Sequence, residues 1–148
     1  MSEVRFRALR FVLPSTLIAE PSRSWPAAGF QAGPTGRMAM AEDDAAIRQS
    51  IMLLVSTTPG ERVMRPDYGC SLARLVFAPN DETTAGLAIH YVRSAVARWE
   101  PRVETLHVDA VRDPDRPETL QILLDYRIRA TRRVDRLRIP FDLRPGDV

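Results

Sequence analysis

Lysine is absent from this chain: all 21 basic residues are arginine. Two readings compete. One is a compositional bias of the coding sequence. The other is a demand for the planar guanidinium, which pairs bidentately with carboxylates at interfaces. Cysteine is nearly absent too. Cys70 stands alone, so no internal disulfide can form, which suits a reducing cytoplasm. A reactive thiol needs a base beside it, and the neighbouring sequence supplies none, so Cys70 reads as a small half-buried residue. His90 and His107 are the only histidines, and with one cysteine they do not reach metal-site spacing. No metal and no cofactor is expected. No apolar run approaches the roughly 20 residues of a membrane span. The first residues alternate charged and apolar, unlike the basic and then apolar regions of a signal peptide. GxSxG, GxxxxGK[ST] and GxGxxG do not occur, and neither do internal repeats. The formal charge of +2 gives no bulk electrostatic case for nucleic acid.

What is present fits one domain. A chain of 148 residues, 45% hydrophobic and 27% charged, is long enough to bury a modest core. Residues 1–24 read as an extension or arm, with Val4, Phe6 and Ala8 alternating like a short strand and Pro14, Pro21 and Pro26 behaving like a linker. Phe6, Leu9, Phe11 and Leu13 are expected to order against a neighbouring subunit. Gly29, Gly33, Pro34 and Gly36 carry turn chemistry. Residues 25–148 form the domain proper.

The first helix is expected to begin at Asp43 or Asp44, either of which could cap it. Ile47, Ile51, Leu54 and Val55 give it an apolar face, and Thr57 to Gly60 end it. Ser71 to Phe77 reads as a short helical turn. A second helix is expected from about Thr83 to Arg98, with Ile89, Val92, Val96 and Trp99 on its apolar stripe. Glu100 precedes Pro101, which pushes it out of the α region and stops that helix. Three strands follow. Leu106, Val108 and Ala110 alternate in the first. Leu120, Ile122, Leu124, Tyr126 and Ile128 alternate in the second, and Leu137, Ile139, Phe141 and Leu143 in the third. The fold class is therefore α+β, with two main helices on one face of a small antiparallel C-terminal sheet. The other face carries Arg127, Arg129 and Arg138 and should be wet. Pro140 has no N–H to donate, so it belongs at an edge or a strand end.

Three places could carry function. The corner Trp99-Glu-Pro-Arg-Val103 sets opposite charges, Glu100 and Arg102, about the rigid Pro101. The loop Pro59 to Gly69 has its backbone fixed by Pro59 and Pro66 and freed by Gly60 and Gly69, and it carries Glu61, Arg62, Arg65 and Asp67. The edge from Leu137 through Arg138, Ile139 and Phe141 to Leu143 is open. Catalysis is poorly served. Glu61 and Glu100 are the candidate carboxylates, but each lies beside an arginine, which lowers a carboxyl pKa where a general acid needs it raised. The arginines between 127 and 138 lack the interleaved aromatics that stack bases, and Asp125, Asp135 and Asp142 dilute their charge.

Ile47-Arg-Gln-Ser-Ile51, Thr58-Pro-Gly-Glu-Arg62, Arg65-Pro-Asp-Tyr-Gly69, Leu75-Val-Phe77 and Trp99-Glu-Pro-Arg102 occur in the order and spacing of a known family. Over about Gly29 to Phe141 the chain resembles the phage baseplate wedge protein W family, the sheath initiators of contractile tails. Relatives of that family serve type VI secretion baseplates and extracellular contractile injection systems. The resemblance implies a structural baseplate component, not an enzyme, that starts sheath polymerisation. Sheath arms would add as strands to the edge at Leu137 to Leu143, by β-augmentation. Glu100, Pro101 and Arg102, with Glu61, Arg62, Arg65 and Asp67, would face the baseplate wedge. The implied partners are the sheath protein, wedge proteins and nearby tube or spike and hub proteins, with six copies in a ring. It implies assembly in the bacterial cytoplasm, then residence in the baseplate, with no nucleic acid and no membrane insertion. A peptidoglycan-cleaving, lysozyme-like hydrolase is the alternative the family history raises.

Overall fold

The computed structural model describes residues 6–12, 29–30, 37 and 40–144. The expectations for Val4, for the linker from Pro14 to Pro26, for Gly33, Pro34 and Gly36, and for a boundary at residue 24 lie outside them.

Two short ribbons open the chain. β1 (Arg7–Leu9) pairs antiparallel with β4 (Met40–Glu42), and β2 (Phe11–Val12) pairs with β3 (Gly29–Phe30). Phe6, just before β1, packs on the core of its own chain beneath the Arg102 guanidinium, 5.3 Å from its ring. That hydrophobe is therefore half-buried against its own chain.

Helix α1 (Asp43–Ser56) begins with Glu42 at the capping position, and no side chain caps it. The expected Asp caps are used elsewhere. Asp43 takes a positive φ of 45° and accepts the Phe6 N–H at 3.1 Å, while Asp44 pairs with Arg133. The apolar face is as expected: Ile47, Ile51, Leu54 and Val55 are buried. A 3-10 turn (Ser71–Leu75) buries Leu72 and Leu75. Helix α2 (Glu82–Trp99) is capped by Asp81, whose carboxylate accepts the Thr84 N–H at 2.8 Å. It ends at Glu100, as the following proline requires.

The C-terminal sheet has the order β5 (Val103–Arg112), β6 (Thr119–Ile128), β7 (Val134–Asp142), all antiparallel. β6 is central, and its five alternating apolar residues, Leu120 to Ile128, are all buried. α2 packs along β5, and α1 packs on α2. The fold is thus the α+β arrangement of two helices and a three-stranded sheet.

One strand departs from its pattern. The β5–β6 register shifts between Thr105 and His107, a β-bulge. The extra residue reverses the facing of the side chains before it, so Leu106 is exposed while Val103, Val108 and Ala110 are buried. Cys70 is fully buried, deeper than expected, and burial pushes its thiol up to about 11.

Candidate functional site

The loop from Pro59 to Gly69 and the corner after α2 come together around Tyr68. The loop is internally bonded. Gly60 N–H donates to Pro66 C=O at 2.7 Å, Glu61 N–H to Thr58 C=O, Arg65 N–H to Arg62 C=O and Tyr68 N–H to Arg65 C=O. Gly60 and Gly69 have φ of 101° and 136°. At Gly69 a side chain would also strike the Thr57 carbonyl and approach Pro59 N to 2.9 Å, so only glycine fits there. Tyr68 stacks edge-on against Trp99, with ring centroids 5.3 Å apart, and Arg62 lies 4.2 Å over its ring. Burial pushes the Tyr68 phenol up, with Arg62 opposing. Arg98 covers Trp99 at 4.8 Å and reaches Asp67 at 3.9 Å.

The two carboxylates proposed from sequence have separate duties. Glu61 turns back to accept the Thr58 N–H at 3.0 Å, stiffening its own loop. Glu100 is only 3% exposed. Its carboxylate accepts Arg102 Nε at 2.5 Å, Arg102 Nη2 at 2.7 Å and the Ser50 hydroxyl at 2.7 Å. Those bonds hold the Arg102 guanidinium more firmly charged. The corner therefore ties α1 to the end of α2 through Ser50. It presents Arg102, half-buried, and Pro101, exposed, while Glu100 faces inward. Ser50 falls within the Ile47-Arg-Gln-Ser-Ile51 motif, but nothing in the sequence pairs it with Glu100, 50 residues away.

The third candidate is the outer border of β7. Two flanking bonds fix which backbone groups face β6: Ile128 N–H to Arg133 C=O, and Leu143 N–H to Glu118 C=O. With the pairing Ile122 to Ile139 and Leu124 to Leu137, residues 135, 137, 139, 141 and 143 bond inward. Residues 134, 136, 138, 140 and 142 turn their backbone outward. Part of that border is already closed. Arg136 N–H is held by Asp135 Oδ1 at 2.8 Å, and Arg136 C=O accepts Arg48 Nη1 from α1 at 3.3 Å. Pro140 has no donor. Among the described residues the backbone groups of Arg138 and of Asp142 on this side have no partner, while Pro140 between them is buried. On the side-chain level Leu137, Ile139 and Leu143 are buried, Phe141 is half-buried and Arg138 is exposed.

Asp135 organises this end of the sheet. It accepts the buried Tyr126 hydroxyl at 2.8 Å and Arg48 at 2.9 Å, and Arg136 forks onto Asp125 at 2.6 and 2.9 Å. Arg127 pairs with Glu104 and Arg133 with Asp44, so half of the arginine cluster is neutralised within the chain. Beyond the end of β7, Phe77 has a φ of 68° and is 77% exposed, its N–H donated to Leu143 C=O at 2.6 Å. Its sequence neighbours gave no hint of that strained backbone. Among the described residues no group of three or more His, Cys, Asp or Glu could hold a metal ion, and no helix is long and apolar enough to cross a membrane.

Comparison with known proteins adds an independent line. The chain is 31% identical over 65 residues to baseplate wedge protein gp25 of Enterobacteria phage T4, covering 44% of this chain and 49% of that protein. It thus spans about half the length of the curated relative it matches. A solved Geobacter sulfurreducens protein, provisionally named a tail lysozyme, superposes with a TM-score of 0.62 and 40% identity over 68% of this chain and 91% of that one. A chain of the anti-feeding prophage baseplate superposes with a TM-score of 0.61 at 23% identity, over 66% of this chain and 78% of that one, a likeness of fold. The model of the family described as baseplate wedge protein gp25 matches residues 41–133, from β4 through both helices to the β6–β7 turn, and the chain belongs to that family.

Proposed function

We propose that this chain is a structural baseplate component of a contractile injection machine, one that starts sheath polymerisation and links the sheath to the baseplate wedge. The observation that carries the sheath half is the unpaired outward backbone of β7 at Arg138 and Asp142, on either side of the buried Pro140. Unpaired backbone groups in strand geometry accept a further strand, and flanking side chains set its register. The opposite border, on β5, suits this less well. The bulge at Thr105–His107 interrupts it, and Asp109 Oδ1 closes the Ala110 N–H at 2.8 Å. In the wedge half, Glu100 aims Arg102, and the Tyr68 cluster holds Arg62, Arg65 and Asp67 beside it. Sheath protein and wedge proteins are the partners, near the tube and hub, in a six-fold ring within the baseplate.

Removing everything after Arg136 is a poor test, because Leu137, Ile139 and Leu143 are core residues. Arg138→Pro is a clean one. It deletes an outward N–H, leaves every β6–β7 bond in place, and repeats what Pro140 already does two residues on. Particles carrying it should show baseplates without sheath, while the isolated variant melts close to the parent. Normal sheath on such particles would refute the reading.

The hydrolase reading draws on the family history and on the name of the Geobacter relative. A general acid must be reachable and hold a proton. Glu100 is buried in a bidentate pair, and Glu61 accepts a backbone N–H of its own loop. Suspensions of peptidoglycan should not clear in its presence, and clearing lost on Glu61→Gln or Glu100→Gln would reverse that view.

A further inference from the structure

The loop from Pro59 to Gly69 ends in a tip where apolar side chains stand in water. Val63 is 94% exposed and Met64 is 91% exposed. Isolated exposed hydrophobes need no explanation. This pair differs in being adjacent, at the apex of a loop whose backbone is held from both sides. Gly60 to Pro66 closes its neck, Cys70 N–H anchors its exit to Thr57 C=O at 2.8 Å, and glycines at both ends take conformations that other residues resist. Such a loop loses little further freedom on binding. The charges beside the tip are also sorted. Glu61 and Asp67 are engaged by Thr58 and Arg98. Arg62 and Arg65 flank the tip with no carboxylate of this chain on them among the described residues, and Arg62 is braced on Tyr68. An apolar pair between two unneutralised guanidiniums, on a stiff support, fits an apolar pocket rimmed by carboxylates.

We infer that Val63 and Met64 form a preorganised plug that seats in an acidic-rimmed apolar pocket on a wedge subunit. This rests on the baseplate reading above and deepens it, since the wedge contact would then centre on the loop tip, with Arg102 at its margin. Two side chains offer too little apolar area for stable membrane attachment, and the fixed loop shape favours a protein pocket.

The test is co-expression of the full chain with the wedge subunits encoded for the same machine. Its variants are Val63→Ser with Met64→Ser, Arg62→Glu with Arg65→Glu, and Arg138→Pro as a control away from the loop. The serine pair should leave the melting temperature of the isolated chain unchanged and weaken wedge binding by roughly thirtyfold or more. The charge reversal should weaken it too, while Arg138→Pro should not. Wild-type binding to the wedge with the serine pair equally tight overturns the plug and leaves the baseplate reading standing. No wedge binding by the wild-type chain overturns both. A serine-sensitive self-association, or serine-sensitive binding to phosphatidylglycerol vesicles, would assign the tip to a second copy or to lipid and overturn the inference.

Discussion

Replacing Glu100 by alanine removes the one carboxylate that joins α1, the end of α2 and the start of β5. The loss has two parts. The Ser50 hydroxyl loses a charge-assisted acceptor at 2.7 Å, worth about 1.5–3 kcal/mol. The Arg102 guanidinium loses both of its bonds to the carboxylate. Breaking one side of a buried pair costs about 3–5 kcal/mol, because a charge is left without a partner. That range must be reduced here, since the Arg102 side chain is 35% exposed and can turn toward water. A net cost of about 3 kcal/mol follows, which for a chain of this size lowers the melting temperature by roughly 10 °C. Calorimetry of the isolated chain measures it directly. A double-mutant cycle with Arg102→Ala should return a coupling of about 2 kcal/mol, because the second substitution removes the orphaned charge. Arg102→Glu should also destabilise the isolated chain, by setting two carboxylates together in a half-buried corner. A Glu100→Ala protein melting within about 2 °C of the parent would refute the lock and return Glu100 to the surface as a docking residue.

Three further outcomes are expected. Gly69→Ala should cost about 2–4 kcal/mol in urea melts, since its φ of 136° is strained for alanine and the added methyl meets the Thr57 carbonyl. Phe77→Asn should stabilise the isolated chain by about 1 kcal/mol, because asparagine tolerates the φ of 68° and little apolar area is lost from an exposed side chain. Alkaline pH should weaken the fold. The Cys70 thiol ionises near 9 when unfolded and near 11 when folded, so its contribution is complete below pH 9 and fades up to 11. Burial and Asp135 raise the Tyr126 phenol in the same sense. Urea melts at pH 8 and pH 10.5 should diverge, and Cys70→Ala should narrow the gap.

The parts of the fold that were legible from sequence are those set by short-range rules. The stop at Glu100 follows from the proline after it. The five buried residues of β6 follow from strict alternation on a strand flanked on both sides. Pro140 pointed to an edge or a strand end, because a central strand needs its missing N–H, and β7 is an edge strand. Alternation failed at Leu106, because a bulge adds one residue and reverses every facing before it, and nothing in Thr105-Leu-His107 announces an insertion. The Asp caps failed because Asp43 answers to Phe6, 37 residues away. At the candidate site, residue types were legible and orientation was not. A charged corner reads alike whether its carboxylate faces a partner or, as here, Ser50 and Arg102.

The same long-range contacts define how much of the β7 border is on offer. An edge strand left wholly open invites uncontrolled pairing. Here the α1 side chain Arg48 and the adjacent Asp135 close both outward groups of Arg136, and Pro140 withholds a donor two pairs further on. The outward groups without a partner are thus split among Val134, Arg138 and Asp142, separated by the closed Arg136 and the buried Pro140. So interrupted a border is weak enough to keep separate molecules apart, and a strand would need other contacts to bring it alongside. Opening the closed part should expose the difference. Arg48→Ala frees the Arg136 carbonyl and also removes a partner of Asp135. The variant should then gain a concentration-dependent tendency to self-associate, read by light scattering at equal protein concentration. A variant as monodisperse as the parent would show that Arg48 serves only to tie α1 to the sheet.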